Sequence, residues 1–164
     1  MRGRILSVLV TALILCAPVT LLSPGGFPVD SVALAQVGVF EDLTIETKTK
    51  RHAFSVEVMR TEEERARGMM FRRELDPDKG MLFDQGGEGI ATFWMQNTYV
   101  SLDILFIRAD GTIHRIEHAA EPLSTTPIGS GAPVTGVLEL LAGTAKRLDI
   151  RPGDRVVHPL FAPR

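Results

Sequence analysis

Apolar and polar residues alternate with a period of two through much of this chain. Leu43 and Ile45 alternate with Asp42, Thr44 and Glu46, and Phe54, Val56 and Val58 alternate with Ser55 and Glu57. Both stretches predict strands with one buried face. Thr61-Glu62-Glu63-Glu64 then has the spacing of a capping box, and Gly68 supplies a stop, so a helix of about two turns is expected between them. A basic, turn-rich loop spans 69–79. Short apolar strands are expected at Gly80–Asp84 and Ile90–Met95, with Gly86, Gly87 and Gly89 forming a loop between them. Gln96-Asn97-Thr98 predicts a turn. Leu102–Arg108 is apolar at successive positions, as in a strand buried on both faces. Asp110-Gly111 predicts a hairpin into a return strand, Thr112–His118.

The remainder continues the pattern. Ala119–Pro133 contains three prolines and is expected to be a long irregular loop, which in a small domain suggests function. Val134–Leu141 predicts a strand, Gly143–Asp149 a short helix, Arg151–Asp154 a turn and Arg155–Leu160 a closing strand. Many short strands with Gly/Pro turns, and no helix long enough to cover a parallel sheet, predict a mainly β fold. We expect a compact sandwich or barrel-like antiparallel domain with one or two short helices.

The first 35 residues depart from this pattern. Arg2 and Arg4 precede a nearly unbroken apolar run, Ile5–Leu22, and Ala33-Leu34-Ala35 follows a Pro/Gly-rich stretch. This is the layout of a secretory signal peptide, and cleavage after Ala35 is expected, to leave a periplasmic or secreted protein with no stable membrane insertion. An uncleaved anchor is the alternative. Cys16, the only cysteine, lies in the apolar run without the small residues that a lipoprotein signal places before its cysteine. The mature chain, 36–164, would be a single thiol-free domain. It would carry 16 basic and 19 acidic side chains, a net charge of −3. Mixed charge this close to neutral argues against nucleic-acid binding. A monomer is expected.

The segments Thr61–Arg72, Gly80–Phe83, Phe93–Thr98, Leu102–Ile107, Ala120–Ser124 and Arg151–Asp154 together resemble the DUF192 (UPF0127) family, in order and over nearly all of the mature chain. The resemblance implies a compact, mostly β, often exported domain. It implies no activity, because none is assigned to the family. Gln96 stands where members often carry a basic residue, and Ser101 where they often carry proline.

Candidate chemistry centres on Phe93–Thr98 and the strand after it. Asp103 interrupts an apolar strand, so it needs either a structural donor or a functional role with a raised pKa. Arg65, Arg67 or a backbone N–H near the Asn97 turn is the structural candidate, and that reading is favoured. Trp94, Met95 and Asn97 combine an aromatic face with amide groups, a means of stacking and orienting a ligand; packing of Trp94 into the core is the plainer reading. Arg67, Met70, Trp94, Asn97, Asp103, Glu121 and Ser124 form the expected ligand-binding set. Asp103 and Glu121 are weak catalytic candidates, as an acid/base pair for glycan hydrolysis. His114 and His118 share one face of a predicted strand and are weak metal candidates, since zinc needs three or four converging ligands. No serine-hydrolase elbow or phosphate-cradling glycine loop is present, and no cofactor is expected.

An exported, non-catalytic module that binds a small molecule, a glycan or an envelope protein through a pocket near Trp94 and Asp103 is therefore the leading expectation. A glycan-directed hydrolase and a metal-binding protein stand behind it.

Overall fold

A computed structural model describes residues 39–162. The expected signal peptide, its cleavage point after Ala35 and Cys16 lie outside the described residues. The fold is mainly β, with two short α-helices and a terminal 3-10 turn. Strands β1 (Phe40–Glu46), β2 (Arg51–Met59), β3 (Lys79–Phe93), β4 (Leu102–Ile107), β5 (Ile113–Ala120), β6 (Ile128–Leu141) and β7 (Arg155–Val157) form one sheet in the order β5-β4-β6-β3-β2-β1-β7.

The sheet curls into a half-barrel. Its edges approach where Thr112 bridges Arg155, and where the Ile113 and Val156 N–H groups donate to the carbonyls of Asp154 and Gly111. Gly111 belongs here because a Cβ would lie 2.5 Å from the Val156 carbonyl oxygen. Of the two architectures expected, the barrel-like one describes this single sheet. All pairings are antiparallel except β2–β3. A parallel pair needs a long crossover. Helix α1 (Glu62–Arg67) and the loop after it supply one.

The capping box forms as expected. The Thr61 hydroxyl accepts from the Glu64 N–H at 3.2 Å, and the Glu64 carboxylate accepts from the Thr61 N–H at 2.9 Å. Two expected boundaries move. The glycine loop at 86–89 is absorbed into β3, and β6 starts at Ile128 rather than Val134, leaving 121–127 as the irregular part of the long loop. β3 and β6 pair along most of their length, through Phe93↔Ile128, and register shifts after Asp84 and Ile90 absorb the poor strand formers. The closing strand stops at Val157 because Pro159 opens the 3-10 turn, where the His158 ring nitrogen accepts from the Leu160 N–H.

β4 is buried at every position. Leu105 and Ile107 pack inside the curl with Leu43, Ile45, Val56, Leu82 and Leu138. Leu102, Ile104 and Phe106 pack on the other face with Met69, Met81, Phe83, Met95 and Val137. The loops after α1 and after β3 cover this second face, which is where the site lies.

Candidate functional site

A cleft of about 290 Å³ opens between α1, its following loop and the end of β3. Arg65 fastens the helix there by donating to the carbonyls of Arg60 and Asp84. Phe83 and Phe93 meet edge to face at 5.0 Å and carry one wall. Arg67, Met70, Trp94 and Gln96 form the mouth. Trp94 is 52% exposed, so it is a surface aromatic and not the core residue that the plainer reading favoured. Its side chain leaves the sheet where β3 ends, and the second-face core is filled by Met95 instead.

The loops around the cleft are tied to one another. The Phe71 N–H donates to the Asn97 carbonyl at 2.8 Å, the Met95 N–H to the Ser124 carbonyl at 2.9 Å and the Leu123 N–H to the Thr98 carbonyl at 3.1 Å. Phe71, Asn97 and Leu123 all have φ near +60° (66°, 56° and 64°). Asparagine tolerates this region; a bulky residue there carries strain that the surrounding bonds must hold.

The residue that sequence reasoning passed over is Glu139. It lies on β6 opposite Met81 of β3 and Ile104 of β4, so its side chain shares the outer face with the cleft. It lines the cleft yet is only 4% exposed, and its Oε2 has no hydrogen-bond partner. Burial pushes its pKa up to about 8, against a smaller downward pull from Arg72. Arg72 itself is committed to Glu57, donating to both carboxylate oxygens at 2.6 and 2.7 Å. Glu57 faces Met81 from the opposite side, and Glu117 faces Ile104, so three glutamates lie along one cross-strand row. Glu57 has Arg72 and Glu117 has Arg115; Glu139 has no such partner. The signal was available: Val-Leu-Glu-Leu-Leu is as apolar a setting as the one that singled out Asp103.

The structure divides the expected ligand set. Arg67, Met70 and Trp94 line the cleft. Asn97 stands beside it, its side-chain amide 4.0 Å from the Met70 sulfur. Asp103 does not join them. It pairs with Leu140, the neighbour of Glu139, and so points to the opposite face of the sheet. It is fully buried, and its two oxygens accept from the Ala119 N–H at 3.0 Å and the Ala145 N–H at 2.8 Å. The second bond caps helix α2 (Thr144–Arg147), whose N-cap, Gly143, has no side chain to do so. The structural reading of Asp103 is the one this geometry supports, with the Ala119 and Ala145 N–H groups in place of the arginines and the Asn97-turn N–H considered. An acid sealed in this way presents no face to a substrate. Glu121 is exposed, and Ser124 is half-buried with its hydroxyl accepting from the Thr126 N–H. The Asp103–Glu121 acid/base pair therefore has no support in the geometry.

The histidines diverge too. His114 contacts the Arg108 guanidinium through Nδ1 at 2.9 Å, and His118 is exposed. Among the described residues no group of three or more His, Cys, Asp and Glu side chains is arranged to hold a metal ion.

A curled, mainly β sheet with a capped crossover helix and a cleft beneath it defines the class of domain. The DUF192 family model, described as "Uncharacterized ACR", matches residues 43–158, and the chain belongs to that family. Two solved structures are similar. A protein from Sinorhizobium meliloti 1021, described provisionally as a transcription regulator, is 44% identical with a TM-score of 0.73, over 74% of this chain and 96% of that one. A protein of unknown function from Novosphingobium aromaticivorans DSM 12444 is 38% identical with a TM-score of 0.74, over 78% of this chain and 91% of that one. No functionally curated protein matches.

Proposed function

We propose that this protein is an exported, non-catalytic binding module whose ligand sits in the cleft between α1 and the end of β3. The observation that carries the reading is the pairing of an exposed Trp94 at the mouth with a buried, partnerless Glu139 on the wall. A large aromatic left half in water, next to a few polar groups in a concave apolar site, is the usual composition of a small-molecule pocket. Each loop that frames the cleft is held by main-chain bonds, so the site is largely formed before a ligand arrives. No nucleophile–base pair lines it, which is why binding is preferred to catalysis. Mixed charge, with a formal net of −2 for the whole chain, supports a partner other than nucleic acid, whatever the description of the Sinorhizobium relative.

Export rests on the apolar leader and the Ala33-Leu34-Ala35 site. Fusing residues 1–35 to a phosphatase that is active only outside the cytoplasm tests it. Binding is tested by the fluorescence of Trp94, the only tryptophan. Titration of the purified protein with cell-wall sugars, organic acids and short peptides should shift or quench the emission for one of these sets. A spectrum indifferent to all of them would sink the reading.

A further inference from the structure

We infer that the cleft takes a small organic carboxylate with a planar apolar body, the body against Trp94 and the carboxylate toward Arg67 and the Glu139 carboxyl group. This rests on the binding reading above and names its ligand class. A carboxyl group that is 4% exposed and has an oxygen without a partner is costly to leave unsatisfied. It lines an open cleft, so a ligand can reach it.

The charges nearby decide what that ligand carries. Glu57 and Glu117, with their partners Arg72 and Arg115, share the cross-strand row of Glu139, and Glu62, Arg65 and Arg67 of α1 line the same cleft. Arg72 is bound to Glu57 and Arg115 to Glu117. Arg65 donates to two carbonyls through Nη1, and neither it nor Arg67 makes an ion pair with the described residues. The lining itself therefore holds two arginines, the exposed Glu62 and one acid, Glu139, whose pKa burial pushes up to about 8. An amine would meet Arg65 and Arg67; a neutral ligand would leave Arg67 unmatched. An anion satisfies both Arg67 and the acid, whose O–H can donate to a carboxylate in a short charge-assisted bond. Met69, Met70, Phe83 and Phe93 surround this spot with apolar surface. That favours a singly charged carboxylate over phosphate, which loses more hydration on entry.

The bond requires a proton on Glu139. Affinity should therefore hold from pH 6 to 7 and fall as pH rises through about 8. Glu139→Gln keeps an N–H donor and has nothing to ionise, so it should bind with no such fall. Arg67→Gln should bind about tenfold more weakly, as expected for loss of one charged partner.

Benzoate, methyl benzoate and benzylamine share one ring and differ in charge. Each is titrated into the purified protein while the Trp94 side-chain N–H resonance is followed by NMR. Benzoate is expected to shift that resonance and to bind at least about tenfold more tightly than benzylamine, the usual scale for a reversed charge at one contact. Tighter binding of benzylamine or methyl benzoate would overturn the carboxylate assignment and leave the cleft as a binding site. So would benzoate affinity that is flat through pH 8 in the unsubstituted protein, or lost in a folded Glu139→Gln variant. Silence of the resonance toward all three compounds would overturn this inference, and the binding reading would fall with it only if the sugars and peptides named above were silent too.

Discussion

Asp103 and Glu139 sit on adjacent strands, both buried, on opposite faces of the same sheet. One has two backbone donors and helps to close the fold; the other has none and faces a cleft. The difference lies in what the chain places opposite each carboxyl. Inside the curl, Ala119 near the end of β5 and Ala145 in the first turn of α2 bring N–H groups to Asp103. On the outer face, Glu139 meets Met81 and Ile104 across the sheet, and Arg72, the cation that pulls on it, is already bound by Glu57. A buried acid marks a site only when the fold withholds its donors.

Removing the satisfied acid should have the largest effect on stability. Asp103→Ala leaves the buried Ala145 N–H without an acceptor, removes the acceptor of the Ala119 N–H and uncaps α2. A loss of about 3–5 kcal/mol is expected from losing both bonds and the helix cap, read as a lower urea midpoint. Asp103→Asn, which retains one acceptor oxygen, should lose about half as much. If Asp103→Ala moves the midpoint by less than the equivalent of about 1 kcal/mol, a surface-like value, the contrast drawn here collapses.

Removing the unsatisfied acid should act in the other direction. The folded-state pKa of Glu139 is raised from 4.5 to about 8, so the folded protein holds a proton that the unfolded chain releases. Stability is then lost as pH rises from about 4.5 to about 8 and is level beyond. Glu139→Gln removes that loss. It should leave stability unchanged at pH 4 and raise it at pH 7 by up to about 3 kcal/mol, the linkage value for a shift of this size. Urea melts at the two pH values check it; equal offsets at both would show that Glu139 is ionised, or paired, in the folded state.

Arg72 tests whether the glutamate row behaves as paired and unpaired members. Arg72→Met strands Glu57, which is 7% exposed, and removes the cation that pulls the Glu139 pKa down. Because the Arg72 side chain is partly exposed, the cost should be about 1–2 kcal/mol, below that of a fully buried pair. The benzoate affinity expected above should then persist to higher pH, since Glu139 keeps its proton longer. A downward move of that pH limit would contradict the charge arrangement described for the cleft.

The strands, the capping box and the β4–β5 hairpin were legible because each has a local signature: a period of two, a Thr-x-x-Glu spacing and an Asp-Gly turn. The two-sided burial of β4 was legible for the same reason. What was not local was missed. The parallel β2–β3 pair depends on a crossover whose path no short window contains. The glycines at 86–89 suggested a loop, but the antiparallel partner β6 carries them as part of an irregular strand. Glu139 was passed over because its importance lies in an absent partner. Asp103 was rightly favoured as structural but stayed in the ligand set because its partners come from 16 and 42 residues away, and both are backbone groups that no side-chain pattern reveals.

The smallest expected stability change separates site from scaffold most directly. Trp94 has the size of a core residue, and its truncation in a core would cost about 3–5 kcal/mol. Half of it is in water, the Met95 side chain fills the core beside it, and the loop that carries it is held by the Met95 and Thr98 main chain, which the substitution leaves in place. Trp94→Ala should therefore cost less than about 1 kcal/mol in urea, typical of a partly exposed position. The same change removes the one large aromatic surface at the mouth of the cleft, so benzoate affinity should fall by about tenfold, the worth of a stacking contact of this kind. Asp103→Asn should show the reverse, a weakened fold with benzoate binding intact while the protein remains folded. If Trp94→Ala and Asp103→Asn instead lose stability and binding together, the two faces of the sheet are not separate in role, and Trp94 belongs to the scaffold.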